Sequence, residues 1–313
     1  MTWTPPPGPP QAWFARPYPQ LLRGPGHRWW RPLAGLGALA GTVVGLLLVA
    51  GIGSAVVLIA AGGEDAAFSD GEFDAWSITP VGLAANNLLL AALVPLAQVA
   101  VWVGHRWRPR WVASVRPGLR WRWLLTAALL AAVVFVPLTA GLVALDGEGG
   151  SPEPQAAALL LVVLLTTPLQ AAGEEYLFRG WLTQAVGSLF ARAATGAVVA
   201  ALVSATLFAL AHGQQNPWLF ADRFAFGLVA SWLVWRTGGL EAAIAVHAVN
   251  NIAAFVPTIL LGQLLDALTV TEADPILLLI DVVTLGVVAA VLDRLARRRR
   301  LQRLFVPPTA AAA

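Results

Sequence analysis

Cysteine is absent from this 313-residue chain. Disulfide frameworks and thiolate metal sites are excluded with it. Lysine is absent too, so all 20 basic residues are arginine. Charge of either sign is scarce, at 12% of residues, where a soluble domain carries about 25%. What fills the chain instead is apolar: 58% hydrophobic residues and a mean hydropathy of +0.71. A chain so poor in charge cannot stay dissolved in water, and the bilayer is its solvent. The net charge of +3 and the isoelectric point near 10.4 do not point to nucleic acid, because the arginines sit between apolar runs. No short apolar stretch precedes a cleavage site, so no signal peptide is expected.

Eight apolar runs approach the roughly 20 residues needed to cross a bilayer. They cover 33–61, 80–103, 124–145, 156–189, 194–212, 217–236, 240–262 and 275–293. The expected fold is all-α, a polytopic transmembrane bundle of about eight spans. Pro95, Pro137, Pro168 and Pro257 fall inside runs, where membrane helices tolerate them. Residues 1–32, rich in Pro, Trp and Arg, read as a disordered or extended tail. Residues 33–293 read as the transmembrane domain and 294–313 as a basic tail. The connecting segments alternate in charge: 63–78, 146–155 and 263–274 hold acids and no arginine. The other segments and the two tails hold eighteen of the twenty arginines. The positive-inside rule then puts both termini in the cytoplasm, in an integral multi-pass protein of the plasma membrane. The arginine-rich C-terminal tail is a stop-transfer flank or a grip on anionic lipid.

An ionisable group at membrane depth costs about 2.5–3.5 kcal/mol, so it marks function by default. The densest cluster is Gly173-Glu174-Glu175-Tyr176-Leu177-Phe178-Arg179-Gly180. Glu175 and Arg179 are four apart, in the order that favours a helical ion pair. Glu174 is turned about 100° from Glu175 and stays available as a base. A second string is Phe208-Ala-Leu-Ala-His212, and a third is His247-Ala-Val-Asn250-Asn251. Of four histidines, His27 and His105 lie in basic flanks, which leaves His212 and His247 at membrane depth. Either histidine alone, or Asn86, Asn87, Asn250 and Asn251, also fits a hydrogen-bonding role between helices. Asp222 and Arg223 read as a local polar step at a helix start.

Taken together, Glu174-Glu175-x-x-x-Arg179, Phe208-x-x-x-His212 and His247-x-x-x-Asn251 resemble the CAAX-protease and bacteriocin-processing family, the type II CAAX prenyl endopeptidase-like intramembrane proteases. The resemblance covers about 156–260. It implies peptide-bond hydrolysis with Glu174 activating a water, His212 positioning that water, and His247 and Asn251 donating to the oxyanion. Glu175, Arg179 and Phe208 are implied as supporting residues. It implies a membrane-associated or lipidated protein or peptide as substrate, among membrane lipid. Glu174, His212 and His247 also form a two-histidine, one-carboxylate set of the kind zinc proteases use. A metal-free mechanism is the preferred reading. A zinc histidine normally has its second nitrogen held by a carboxylate, carbonyl or water, and no carboxylate lies within a turn of either histidine. A transporter is a competing reading, but neither an internal repeat nor paired broken helices are visible. A non-catalytic immunity or scaffold protein is another.

Helix arithmetic sets the depth. A single helix over 156–190 would be about 51 Å long, against a hydrocarbon core of roughly 30 Å. If the chain turns near Ala191–Ala193, Glu174 and His212 stand at similar heights, about 24 and 27 Å from the turn. His247 lies only about 10 Å beyond Leu240. All three become level if the hairpin protrudes by about 15 Å into the cytoplasm, so a site open to the cytoplasmic half of the bilayer is expected. Gly213–Asn216 must then finish the crossing in an extended form.

Overall fold

The computed structural model describes residues 15–24, 26–45, 70–147 and 149–306. A strand β1 (Arg16–Pro17) leads through a 3-10 turn, Tyr18–Gln20, to a helix α1 over 31–45. Then come α2 (Asp70–Ser77), α3 (Pro80–Ala91), α4 (Leu93–His105), α5 (Trp121–Asp146) and α6 (Ala156–Glu175). A π-helical stretch, Tyr176–Leu182, continues α6 into α7 (Thr183–Ser188). The chain returns as α8 (Ala193–Leu210), followed by α9 (Pro217–Thr237), α10 (Glu241–Leu261), α11 (Leu264–Leu268), α12 (Pro275–Arg298) and a strand β2 (Leu304–Phe305).

The protein is thus an all-α, multi-pass membrane bundle. Among the described residues seven helices are long and apolar enough to cross a bilayer, α3–α4 counting as one and α6–α7 as another. They coincide with seven of the eight expected runs. The eighth, 33–61, begins in α1, and its remainder lies outside the described residues. Pro95 does more than sit passively in its run. Its ring opposes the carbonyl four residues back, and the helix breaks there, between Ala91 and Leu93.

Along the middle of α5 the small side chains turn inward and the large ones outward. On α5, Ala127 and Ala131 are buried while Leu125, Leu129 and Val133 are exposed. Small inner residues let backbones approach where no hydrophobic drive exists between helices and lipid. Helix α10 forms the centre, against α5, α6 and α9, while α3 lies on α6 and α12 on α9. Gly173 sits where α6 meets α3: a Cβ there would collide with the Leu90 carbonyl.

One end gathers the arginine-rich segments. The Arg120 guanidinium donates to both carboxylate oxygens of buried Glu241, at 2.7 and 2.6 Å, and to the Thr237 carbonyl. This ties the starts of α5 and α10 together. The opposite end gathers the arginine-free segments. There Glu153 accepts from the Leu264 amide, and Asn216 bonds to the backbone of Thr271 and Ala273.

Within the described residues, parts of both expected tails, 1–32 and 294–313, pack against the bundle. β1 pairs antiparallel with β2, Arg16 opposite Phe305. Tyr18, Leu21 and Leu22 are buried, and the Tyr18 hydroxyl donates to the Val112 carbonyl. Pro17 and Pro19 hold the backbone extended and then turned, so three apolar anchors seat in sequence. At the other end α12 runs on to Arg298, and Phe305 is buried against Trp107 and Trp111. Composition marks these stretches as tails because anchors so few leave no period to detect. Residues 1–14 and 307–313 lie outside the described residues.

Candidate active site

The site is assembled by α6, the turn after α8, α9 and α10. Gln170 and Glu174 are four apart, so both point from one face of α6. The Gln170 amide donates to Glu174 Oε1 at 2.7 Å, and its oxygen accepts from Asn251 Nδ2 at 3.2 Å. Glu174 Oε2 is buried without a hydrogen-bond partner and lies 3.5 Å from His247 Nε2. Glu175, one residue on, faces away from Glu174. Its Oε1 meets Arg179 Nη1 at 3.0 Å and His247 Nδ1 at 2.9 Å. One continuous polar chain therefore runs Asn251, Gln170, Glu174, His247, Glu175, Arg179 across two helices.

Arg179 is fully buried and closes that chain with aromatic faces. Its guanidinium carbon stands 4.1 Å from the Phe208 ring centroid and 5.6 Å from that of Phe226, within cation–π range. Phe208 also meets the His212 and His247 rings edge-on, and Phe226 meets His247. The supporting trio thus holds His247 from behind. The π stretch begins directly after Glu175, and single-turn π segments recur at functional sites.

His212 lies in the turn just past α8 rather than inside it. Its Nδ1 is 2.7 Å from the Phe208 carbonyl. A carbonyl accepts, so Nδ1 carries a proton and Nε2 is the free acceptor of the neutral ring. Desolvation against the site wall lowers its pKa from the ordinary 6.5, against the raising effect of the Phe208 carbonyl and of Glu174. The ring keeps an exposed edge on the cavity.

Glu174, His212, His247 and Asn251 all line one cavity of about 350 Å³. So do Asn87, Asn250, Asp222 and Arg223. Asn87 also bonds Thr166 and Thr167, which is the interhelical role read for it. Arg223 donates to Gln215 at 2.8 Å, while Asp222 Oδ1 is buried and unpartnered. Gln170 was missed by motif reading. Its signal is an amide in an apolar run, one helical turn before Glu174.

Two expectations change. The cavity wall reaches Ala267 and Leu268 of α11, on the arginine-free side, whereas the sequence reading places the site nearer the arginine-rich half. The hairpin reaches the arginine-rich end: a Cβ at Gly180 would meet Val112 and Leu240, and Gln184 beyond it bonds the Trp111 carbonyl. The argument about zinc changes as well. A carboxylate does hold the second nitrogen of His247, supplied by Glu175 from another helix. Glu174 and His247 could both touch one ion, yet among the described residues no three His, Cys, Asp or Glu side chains are grouped to hold a metal.

Residues 155–253 match the model of the Rce1-like family, described as type II CAAX prenyl endopeptidase Rce1-like. The family reading carried by the three motifs is borne out over that stretch. An uncharacterized protein of Bacillus subtilis (strain 168), YyaK, is 32% identical over 100 residues, 30% of this chain and 32% of that protein. The chain spans about a third of the length of that curated relative. No solved structure matches.

Proposed function

We propose that this chain is an intramembrane endopeptidase in which Glu174 activates a water against a peptide carbonyl. The supporting observation is the state of that carboxylate. One oxygen is fixed by Gln170, and the other is buried, unpartnered and directed at a cavity shared with His212, His247 and Asn251. The free oxygen takes the water proton, and His212 Nε2 accepts the second water hydrogen and orients the lone pair. His247, held at Nδ1 by Glu175, faces the oxyanion with Nε2. Asn251 uses one amide hydrogen on Gln170 and keeps the other for the oxyanion. A donor aimed there is worth about 2.7–4 kcal/mol. Glu174 then passes its proton to the leaving amine.

The substrate class that fits is a membrane-associated or lipidated peptide, because the cavity lies between spanning helices. The family's printed name supports peptide-bond hydrolysis, and the charge alternation supports cytoplasmic termini. The test is cleavage of a peptide library by purified protein in detergent. Glu174→Gln keeps the shape but cannot take a proton, so it should fold, insert and show no turnover. Wild-type turnover in that variant removes Glu174 as the base. In parallel, exhaustive chelation should leave the wild type active. Stoichiometric zinc whose removal stops cleavage, and whose return restores it, overturns the metal-free reading.

A further inference from the structure

A second cavity, about 590 Å³ and almost wholly apolar, lies between α8, α9 and α12 and shares no lining residue with the first. Its walls are Val198 and Leu202 of α8, Trp232 and Trp235 of α9, and Gly286 and Ala290 of α12. Gly286 carries no side chain, which hollows α12 at the groove's middle. Pro19 and Thr183 bound it as well, and they belong to the arginine-rich end. The groove therefore runs along the bundle and ends at the level of phospholipid headgroups on that side.

One helical turn beyond the groove stands an unusual cluster of charge. Asp293 accepts from Arg236 at 3.0 and 3.2 Å, and it also lies 3.1 Å from Arg297 and 3.6 Å from Arg303. Three guanidiniums share one carboxylate, so two positive charges have no counterpart among them. Arg303 Nη2 is buried and donates no hydrogen bond. Burial first, and the neighbouring Arg236 second, lower the Arg303 pKa from the ordinary arginine value. The spacing ties cluster to groove: Arg236 is four residues after Trp232, with its guanidinium over that ring at 5.8 Å. Arg297 is seven residues after Ala290, two turns along the same face of α12.

We propose that this groove and its arginines form a binding site for an anionic phospholipid. The phosphate sits on Arg236, Arg297 and Arg303, and an acyl chain lies between α8, α9 and α12. The two halves of the site carry the argument separately. An apolar groove alone suits any lipid tail. The excess of guanidinium over carboxylate selects a headgroup of net negative charge over a zwitterionic one, as basic pockets between cytoplasmic helix ends do.

Native mass spectrometry of the full chain, titrated with phosphatidylglycerol or phosphatidylcholine, tests the proposal. Phosphatidylglycerol should bind preferentially. Arg297→Gln, at the most exposed of the three arginines, should weaken it about fivefold, the equivalent of about 1 kcal/mol per arginine, and leave phosphatidylcholine unchanged. Gly286→Leu, filling the groove, should lower retention of both lipids, and peptide cleavage by Arg297→Gln should match the wild type. Soluble glycerol phosphate should not compete, because it lacks the tail. Equal affinity for the two lipids, or unchanged affinity in Arg297→Gln, overturns the proposal. So does full competition by glycerol phosphate, which reduces the site to a phosphate contact, and so does a Gly286→Leu protein that retains lipid like the wild type. Failure of cleavage in the wild type bears on the protease reading alone.

Discussion

Asn251 and Glu174 are joined through one side chain, Gln170, which the motifs do not contain. Its amide donates to the Glu174 carboxylate, and its oxygen accepts from the Asn251 amide. Gln170→Leu keeps the volume and removes both bonds. Both groups are then free to wander by an ångström, a displacement that can cost about 10²-fold in rate. The expected outcome is a kcat lower by about that factor with the protein still folded, and unchanged turnover would show that Gln170 only fills space. His212 supplies a pH signature. Its pKa is lowered from 6.5, so the neutral, accepting ring persists below pH 6.5 and is lost only at more acid values. Plots of kcat/KM against pH should therefore hold their plateau through 6.5 and fall below it. His212→Gln should weaken activity at the plateau and remove that fall. A decline already complete at pH 7 in the wild type would contradict a neutral His212.

At the scale of elements, the protruding hairpin of α7 and α8 depends on a strap. Residues 16–23 cross it, with Gln20 donating to the Phe190 carbonyl and Arg23 to that of Ser188. Tyr18 is the strap's anchor, wholly buried. Tyr18→Ala leaves a cavity the size of a ring, for which large-to-small changes of aromatic residues cost about 3–5 kcal/mol. The variant should melt at a lower temperature in detergent and be cut by protease near 189–192 first; a melting point equal to the wild type would show the strap to be passive. The span positions, the three motifs and the Glu175–Arg179 pair were all legible in the sequence, because hydropathy and helical spacing are local properties. Three features were not. The strap rests on isolated anchors without a period. The Glu175–His247 contact joins residues 72 apart, which no spacing within one helix reveals. The reach of the cavity depends on α11, a five-residue helix in a segment whose acids alone drew notice.

For the whole molecule, the two ends of the bundle differ in charge, and the absence of cysteine makes the sidedness easy to measure. Arg299→Cys and Glu272→Cys each place a lone thiol at an exposed position, one at either end. In intact cells a membrane-impermeant maleimide should label Glu272→Cys and spare Arg299→Cys until the membrane is opened. The reverse pattern would invert the orientation drawn from the arginines.

The pairing of β1 with β2 has a consequence in time. Arg16 leaves the ribosome 289 residues ahead of its partner Phe305. At the usual pace of about 5–20 residues per second, roughly 15–60 s of synthesis separate the two. Through that interval the helices insert one after another while the N-terminal strand waits unpaired. The sheet closes only when α12 is in place and β2 has emerged, so a ribosome that stalls before residue 304 leaves a bundle whose first strand has nothing to hold.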